Sequence, residues 1–299
     1  MTRPIMSVLL AVLGVAWSAL ACADLTLTDD RGRTVSLERP AVRIVTLAPH
    51  LAELAYAAGA GDRLVGVSAR SDYPEEASRL PVVSDAGRMD FERIAALKPD
   101  LVLAWMSGNP SRQVEQLERR GIAVLATEAR RLEDIARLLR LIGRAAGSRA
   151  QAEQAARRYE VEVHDLHARY SGLQSMRVFV ELWHEPLITV SGAHLISDVV
   201  RLCGGVNVFE SASTLTPTVS MESVLFARPQ AVIMTSGAGT SAEQAARWQQ
   251  FALLPAVQRG ALYSLDPNLL ERQGPRVVAA ARSVCEALAL ARAARGRSG

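Results

Sequence analysis

The feature that most constrains the fold is an alternation of short apolar segments with longer amphipathic ones, which occurs in both halves of the chain. In the first half, strands are predicted at 43–47, 64–68, 101–105 and 123–126, with helices at 49–58, 91–97, 111–120 and 132–147. In the second half, strands at 177–182, 231–235 and 262–265 accompany helices at 195–203, 242–251 and 275–294. Such alternation is typical of a mostly parallel sheet covered by helices, so each half predicts one α/β lobe. Ahead of both, residues 25–37 alternate apolar and polar around a turn at Asp30-Arg31-Gly32 and predict a β-hairpin.

Residues 148–171 contain no proline or glycine and are rich in Ala, Glu, Gln and Arg. Arg149, Glu153, Arg157 and Glu160 follow one another at spacings of three and four, which is the pattern of a solvated helical face. The sequence therefore predicts one long helix, well above the average helix length, between the two halves. The predicted fold is α/β, with a first lobe at 24–147, a connecting helix at 148–172 and a second lobe at 173–299.

The first 23 residues have the pattern of a secretory signal peptide. Arg3 is followed by an apolar stretch at 5–20, and Ala21-Cys22-Ala23 forms a cleavage site of small residues before Asp24. We expect export and cleavage after Ala23. The alternative is a lipoprotein in which Cys22 is acylated, although Ala19 stands where such sites usually have leucine.

Export changes the cysteine count from three to two, because Cys22 leaves with the signal peptide. The remaining Cys203 and Cys285 form an even pair in an oxidising compartment, where cysteines usually pair. We expect a disulfide between them; the alternative is two buried thiols.

The composition argues against nucleic acid and against a metal site. The net charge is +3, but its arginines are interspersed with acids, and Lys98 is the only lysine. No basic run alternates with aromatic residues, as a stacking surface for nucleic acid requires. No C-x-x-C or H-E-x-x-H motif is present, so we expect no metal or cofactor.

Catalytic motifs are incomplete or absent. Gly59-Ala60-Gly61 lacks the third glycine of a dinucleotide-binding loop, and there is no G-x-S-x-G or phosphate-binding loop. His164 and His167 lie on the predicted connecting helix among charged neighbours, where solvated residues are expected. An exported chain of two α/β lobes without a catalytic constellation is best explained as a solute receptor. An exported α/β hydrolase is a remote alternative.

Several segments resemble a known family when taken in order along the chain. They include RIVTLAP at 43–49, FERIAALKPDLVLAW at 91–105, CGG at 203–205 and NVF at 207–209. These segments resemble the helical-backbone (class III) periplasmic binding proteins of the iron-complex and cobalamin ABC importers, and most closely the cobalamin-binding members.

The resemblance implies a monomeric periplasmic protein that captures cobalamin or a related corrinoid or tetrapyrrole and delivers it to an inner-membrane ABC permease. Glu92 and Glu222 open two similar blocks, ERIAALKP and ESVLFARP, and match the pair by which the family docks onto its permease. Cys203 and Cys285 match its disulfide positions.

Candidate ligand-binding residues follow from position, because ligands of doubly wound sheets bind beyond the carboxyl ends of strands. Each candidate ends or follows a predicted strand, and we expect them to face one another across the cleft. They are Arg70, Trp105, Trp183, Asn268, Leu269, Leu270, Glu271 and Arg272.

The ligand itself stays open between several classes. Arg70, Ala86, Thr216 and Leu269 stand where the cobalamin-binding relatives have aromatic residues, whereas Trp105 is retained. Trp183 and His184 add a further aromatic and a possible ligand. Cobalamin or a related corrinoid is the first hypothesis, and a ferric siderophore or haem is the alternative. A free metal ion fits poorly, since it needs three or four convergent ligands.

Overall fold

The computed structural model describes residues 25–85, 87–235 and 241–295. The predicted signal peptide with Cys22, and also Ala86, lie outside the described residues. In the described part of the chain, no helix is long and apolar enough to cross a membrane.

The chain begins with the predicted hairpin, in which β1 (Leu25–Thr28) and β2 (Thr34–Leu37) pair antiparallel. Asp29 organises its turn, because its Oδ1 accepts hydrogen bonds from the backbone N–H groups of Arg31 and Arg33, both at 2.9 Å. The alternation of apolar and polar residues places Leu27, Val35 and Leu37 in the core.

The first lobe is built on a six-stranded sheet in the order β6-β5-β4-β3-β7-β8, parallel except for β6. Its elements are β3 (Ile44–Thr46), α1 (Pro49–Ala57), β4 (Leu64–Ser68), β5 (Val82–Asp85), β6 (Arg88–Met89), α2 (Phe91–Ala96), β7 (Leu101–Trp105), α3 (Ser111–Arg119), β8 (Val124–Thr127) and α4 (Leu132–Ala146). Short 3-10 turns lie at Gly61–Arg63 and Glu75–Arg79. The predicted strands are present, and β5 and β6 are additions that the sequence did not indicate.

The predicted long helix is α5 (Arg149–Tyr170). It packs against α4 at Gly143, where an added Cβ would lie 2.2 Å from the Cβ of Ala152, so only glycine permits this approach. Arg140 of α4 donates hydrogen bonds to both Glu153 and Glu160 of α5, at 2.7 and 2.5 Å. The charged face predicted on this helix is therefore partly used to hold α4.

The second lobe has a four-stranded, fully parallel sheet in the order β10-β9-β11-β12. Its elements are β9 (Met176–Glu181), α6 (Leu195–Leu202), β10 (Gly205–Asn207), α7 (Met221–Ala227), β11 (Ala231–Met234), α8 (Ser241–Gln249), α9 (Pro255–Gln258), β12 (Leu262–Ser264), α10 (Pro267–Leu270) and α11 (Val277–Arg295). The predicted α/β architecture with mostly parallel sheets is thus confirmed.

One hydrophobic cluster runs through both lobes by way of α5 and α11, and each lobe has a smaller cluster on the other face of its sheet. Within the larger cluster, Cys203 at the end of α6 and Cys285 of α11 form a disulfide, with their Cα atoms 4.7 Å apart. The predicted pairing is confirmed. A core shared between lobes favours small relative motions over a wide hinge.

Candidate ligand-binding cleft

The carboxyl ends of the two sheets meet at one place. Asp72 follows β4 of the first lobe, and Arg272 follows α10 of the second, yet Arg272 Nη1 lies 2.6 Å from Asp72 Oδ1. Arg272 Nη2 also donates to the backbone carbonyl of Arg70, at 3.2 Å. Since ligands bind beyond the carboxyl ends of parallel strands, this junction marks the candidate cleft.

Trp105 ends β7 and is held there by its neighbours. Its backbone N–H donates to Asn109 Oδ1 at 2.7 Å, and Asn109 Nδ2 donates to the carbonyl of Leu47 at 2.9 Å. A Cβ on Gly108 would lie only 1.8 Å from the indole, so the ring covers this glycine. The ring of His50 meets the indole edge-on, with centroids 5.1 Å apart. These contacts fix the orientation of the Trp105 indole.

His50 is buried at the second position of α1, immediately after β3. Burial lowers its pKa to about 3, and the positive charge of Arg272 acts in the same direction. His50 is therefore a neutral ring at neutral pH, and its visible contact is structural support for Trp105.

A cavity of about 380 Å³ lies beside Trp105 on the first lobe. It is lined by the ends of β3, β4, β5 and β7, including Leu47, Ser68, Ser84 and Arg70. Arg70 is exposed and adopts a left-handed backbone conformation, with φ of 63°. Arg70 lines this pocket together with two further charged residues, Asp85 and Arg88.

A buried carboxylate, Glu53 of α1, joins the lobes. Its Oε1 accepts from Arg272 Nη1 at 3.1 Å and from Arg276 Nη2 at 2.6 Å, and its Oε2 accepts from Arg276 Nε at 2.9 Å. Arg276 also lies over the ring of Tyr73, 4.0 Å from its centroid. Gly274 allows the close approach, since a Cβ there would be 3.1 Å from Glu53 Oε2. We call Glu53, Asp72, Arg272 and Arg276 the inter-lobe clasp.

The clasp changes the electrostatics of its members. Hydrogen bonds from Arg272 lower the pKa of Asp72 below its ordinary value. Hydrogen bonds to Glu53 raise the pKa of Arg276 above its ordinary value. Only 11% of the Arg272 side chain is exposed, and its donors are directed to Glu53, Asp72, Asn268 and the backbone of Arg70. These donors hold the two lobes together, and the role of Arg272 as a ligand contact stays a prediction.

The rest of the predicted 268–272 segment divides between surface and core. Asn268 and Glu271 are exposed, and Leu269 is partly buried. The prediction for Leu270 is corrected by the structure, because its side chain is 1% exposed and belongs to the core. The short helix α10 turns Leu270 inward where it packs against α11.

The second lobe presents a different cluster at the end of β9. Glu181, its last residue, is fully buried, and its Oε2 accepts from the indole N–H of Trp248 at 2.7 Å. His184 Nδ1 lies 3.3 Å and Arg247 Nη2 lies 3.8 Å from the other oxygen, Oε1. Trp183 beside them is 48% exposed, and its indole N–H donates to the carbonyl of Glu185 at 2.8 Å. Its role as a ligand contact stays a prediction.

Glu92 and Glu222 occupy equivalent positions in the two lobes. Both are exposed in the first turn of a short helix, Glu92 in α2 and Glu222 in α7. The helices begin at Asp90 and Ser220, whose side chains accept from backbone N–H groups three residues on. A hydrogen bond from its own backbone, with one from Ser220, lowers the pKa of Glu222. An anion is favourable at such a position, so helix stability alone could also account for both carboxylates.

No group of three His, Cys, Asp or Glu side chains within residues 25–85, 87–235 and 241–295 is arranged to hold a metal ion. The described part of the cleft instead combines an oriented indole, apolar strand ends and cationic groups. Such a set suits a flat, partly apolar molecule with polar edges, because aromatic faces provide burial and guanidinium groups bind oxygen acceptors.

The chain is similar to known proteins over most of its length. A family model described as periplasmic binding protein matches residues 44–269. The vitamin B12-binding protein of Vibrio vulnificus (strain CMCP6) is 38% identical over 254 residues, which is 85% of this chain and 92% of the relative. This chain belongs to the periplasmic binding protein family.

Two solved structures have a fold similar to that of this chain. The periplasmic vitamin B12-binding protein of Vibrio cholerae has a TM-score of 0.78 and 36% identity, and the match covers 85% of this chain and 98% of that chain. A periplasmic heme-binding protein from Pseudomonas aeruginosa has a TM-score of 0.70 and 24% identity, and the match covers 83% of this chain and 92% of that chain. At 24% identity, the match with the heme-binding protein shows only that the two folds are similar.

Local sequence patterns in this periplasmic binding protein did not indicate the buried carboxylates of Glu53 and Glu181. Glu53 lies within the apolar helix LAELAYAA, and Glu181 ends the apolar strand RVFVE. An isolated acid in an apolar stretch was the available signal, because a buried charge requires partners. Which partners those are could not be inferred from neighbours in the chain.

Proposed function

We propose that this protein captures cobalamin or a related corrinoid between its two lobes and delivers it to an inner-membrane ABC permease. The observation that carries the proposal is the 38% identity with a vitamin B12-binding protein, extending over 85% of this chain. The lobes would correspond to residues 24–147 and 173–299, joined by 148–172, and the protein would act as a monomer.

The geometry of the cleft supports a large flat ligand. Trp105 offers an oriented indole at the carboxyl end of the first sheet, and Trp183 offers an exposed one after β9 of the second. Arg70 adds a guanidinium that can donate directed hydrogen bonds to carboxamide or carboxylate edges. A corrin ring with polar substituents matches these three features.

Export is part of the same proposal. Residues 1–23 would be removed as a signal peptide and the protein would work in the periplasm. N-terminal sequencing of the mature protein should begin at Asp24. A lipid-modified Cys22 would instead anchor it at a membrane surface.

The alternative ligand is a ferric siderophore or haem. Arg70, Thr216 and Leu269 replace aromatic residues of the cobalamin-binding relatives, and Arg70 is an exposed cation at the pocket rim. A negatively charged ferric complex would use that charge more fully than a corrinoid would. The two ligand classes therefore make different demands on the same residue.

Titration calorimetry with cobalamin, cobinamide, haem and a ferric catecholate tests the proposal. We expect the corrinoids to bind, and Trp105→Ala to weaken binding at least about tenfold, which is about 1.4 kcal/mol. The exposed Phe226 on α7 gives the matched control, since Phe226→Ala removes an aromatic ring away from the cleft. Heat with the ferric complex and none with either corrinoid would transfer the assignment to the alternative. Turnover of generic esters would instead support the hydrolase.

The permease-docking role of Glu92 and Glu222 has its own test. Replacing both by alanine should abolish transport in reconstituted vesicles while ligand affinity stays unchanged, because both carboxylates lie outside the cleft lining. Glu75→Ala, at another exposed carboxylate, is the control. Unimpaired transport by the double variant would reject the docking role.

A further inference from the structure

The cluster around Glu181 is incomplete as the protein alone builds it. Glu181 is 0% exposed, and its Oε1 has no hydrogen-bond partner, although Trp248 satisfies Oε2. His184 Nδ1, 3.3 Å away, is also buried and without a hydrogen bond. Arg247 Nη2, also buried without a hydrogen bond, lies 3.8 Å from Oε1 and supplies a charge but no hydrogen bond. A buried carboxylate oxygen without a hydrogen bond is unfavourable, so the arrangement needs an explanation.

The imidazole of His184 is the group that this carboxylate controls. A carboxylate beside Nδ1 favours the tautomer that carries its proton on Nδ1, which leaves the lone pair on Nε2. The His184 side chain is 32% exposed while Nδ1 is buried, so the accessible edge of the ring is the one that carries Nε2. In metal sites the second nitrogen of a ligating histidine is oriented by a carboxylate, and here a carboxylate oxygen lies 3.3 Å from Nδ1, although the two do not form an aligned hydrogen bond.

His184 is also in a suitable place. It follows β9 at the carboxyl end of the second sheet, next to the exposed Trp183, and that edge abuts the first lobe at the Arg272–Asp72 contact. The turn that carries it is held by backbone hydrogen bonds between Trp183 and Ile188, at 2.9 and 3.4 Å. The imidazole is therefore presented from a fixed turn at the carboxyl edge of the second sheet.

A single imidazole cannot hold a free metal ion, but it can complete the coordination of a metal that a macrocycle already holds. A free transition metal needs three or four protein ligands, and no such group occurs in the described ranges. A corrin already supplies four equatorial nitrogens to its metal, so a single axial nitrogen completes the coordination. We propose, building on the proposed function, that His184 Nε2 coordinates the cobalt of the bound corrinoid.

The step is a ligand exchange without redox change. In aquocobalamin the Co–O bond to the axial water breaks, the water leaves, and the Nε2 lone pair forms the new Co–N bond, with cobalt remaining Co(III). The carboxylate of Glu181 would strengthen Nε2 as a donor by accepting the Nδ1 proton partway. Cyanocobalamin, whose axial cyanide exchanges poorly, should bind in the same cleft without forming this bond.

The absorbance spectrum of the bound corrinoid tests the proposal. With wild-type protein, aquocobalamin should convert to the spectrum of an imidazole adduct, while cyanocobalamin should keep its own spectrum. His184→Ala should abolish the conversion and weaken aquocobalamin binding by about tenfold or more. Its affinity for cyanocobalamin should be unchanged, since only the coordinate bond has been removed.

Controls separate coordination from folding and from adventitious histidines. His164→Ala and His167→Ala remove exposed imidazoles on α5 and should leave the conversion intact. Glu181→Gln should slow or weaken the conversion while His184 remains. If aquocobalamin binds with an unchanged spectrum, or if His184→Ala weakens both cobalamins equally, the coordination is rejected and the proposed function stands. If neither cobalamin binds, both proposals fail together.

Discussion

Glu53, on helix α1 of the first lobe, and Glu181, at the end of β9 in the second, are both buried carboxylates, but their surroundings differ. Two arginines from the opposite lobe donate three hydrogen bonds to Glu53. The carboxylate of Glu181 accepts one hydrogen bond, from Trp248, and its neighbours His184 and Arg247 are not aligned to donate to Oε1. Both oxygens of the first carboxylate are hydrogen-bonded, whereas in the second only Oε2 is, and Oε1 has Arg247 Nη2 at 3.8 Å without a hydrogen bond.

The difference separates a structural role from a binding role. A buried charge contributes to a fold when its partners are complete, and breaking such a set is strongly destabilising. An incompletely paired group is tolerated where ligand binding requires it, since functional sites keep unfavourable groups that the rest of the fold supports. The inter-lobe clasp is therefore expected to stabilise the fold, and the Glu181 cluster is the one that we propose for ligand binding.

The largest expected effect is the loss of the clasp. Glu53→Ala leaves Arg272 and Arg276 without their shared partner and should lower the free energy of unfolding by about 3 to 5 kcal/mol. Urea unfolding followed by circular dichroism measures it. Glu75→Ala, which breaks the exposed pair with Arg79, is the control and should cost less than about 1 kcal/mol. Equal losses would show that the clasp is no stronger than a surface pair.

The second lobe has its own tie, the disulfide between Cys203 and Cys285, which are 82 residues apart and fully buried. Replacing both cysteines by alanine should cost about 2 to 5 kcal/mol, because the unfolded chain gains freedom. Unfolding with and without reductant checks this value: reductant should destabilise the wild type but not the variant. If the double variant is as stable as the wild type, the disulfide does not contribute to the stability of this lobe.

A third effect depends on pH and also compares the lobes. Burial and the charge of Arg272 lower the pKa of His50 to about 3, and burial lowers the pKa of His194 in the second lobe to about 4. Both values lie below the unfolded value, about 6.5, so the unfolded state binds more protons as the pH falls. Their stabilising contribution is full above about pH 6.5, and each should lose up to about 1.4 kcal/mol per pH unit below it.

Substitution separates the two histidines. His50→Gln should flatten the fall of stability with pH from about pH 6.5 to 3, and His194→Gln should flatten it from about pH 6.5 to 4. Urea unfolding at a series of pH values gives both slopes. Slopes identical to that of wild type would mean that these rings are not held neutral by burial.

The smallest change in the free energy of unfolding is expected for Glu181, and this substitution tests the contrast with Glu53 most directly. Glu181→Gln keeps an oxygen that accepts from Trp248 and removes a poorly paired buried charge, so stability should change by less than about 1 kcal/mol. Glu53→Gln, measured in parallel, should cost clearly more, because both arginines lose a charged partner. A loss at Glu181 as large as that at Glu53 would contradict the assignment of Glu181 to the ligand.

Much of the fold could be predicted from local patterns. The stretch without proline or glycine at 148–171 became α5 (Arg149–Tyr170), and the apolar stretch at 101–105 became β7. Strands β5, β6 and β10 escaped prediction because they are short and include serine, aspartate, arginine or asparagine, which do not alternate as half-buried strands do. Helix period and strand alternation are properties of neighbouring residues, so the sequence carries them directly.

By itself the sequence determined the two α/β halves, their long connection and the one cysteine pair outside the predicted signal peptide. The rule that ligands lie beyond strand ends also drew attention to Trp105 and Trp183. Only the tertiary structure decided that Arg272 lies against Glu53, which is 219 residues away, and that Leu270 is turned into the core. Only the tertiary structure shows that Oε1 of Glu181 has no hydrogen-bond partner. The physical reason is that partners of a buried charge come from whichever loops the packed sheets bring together, and no local period of the chain records that juxtaposition.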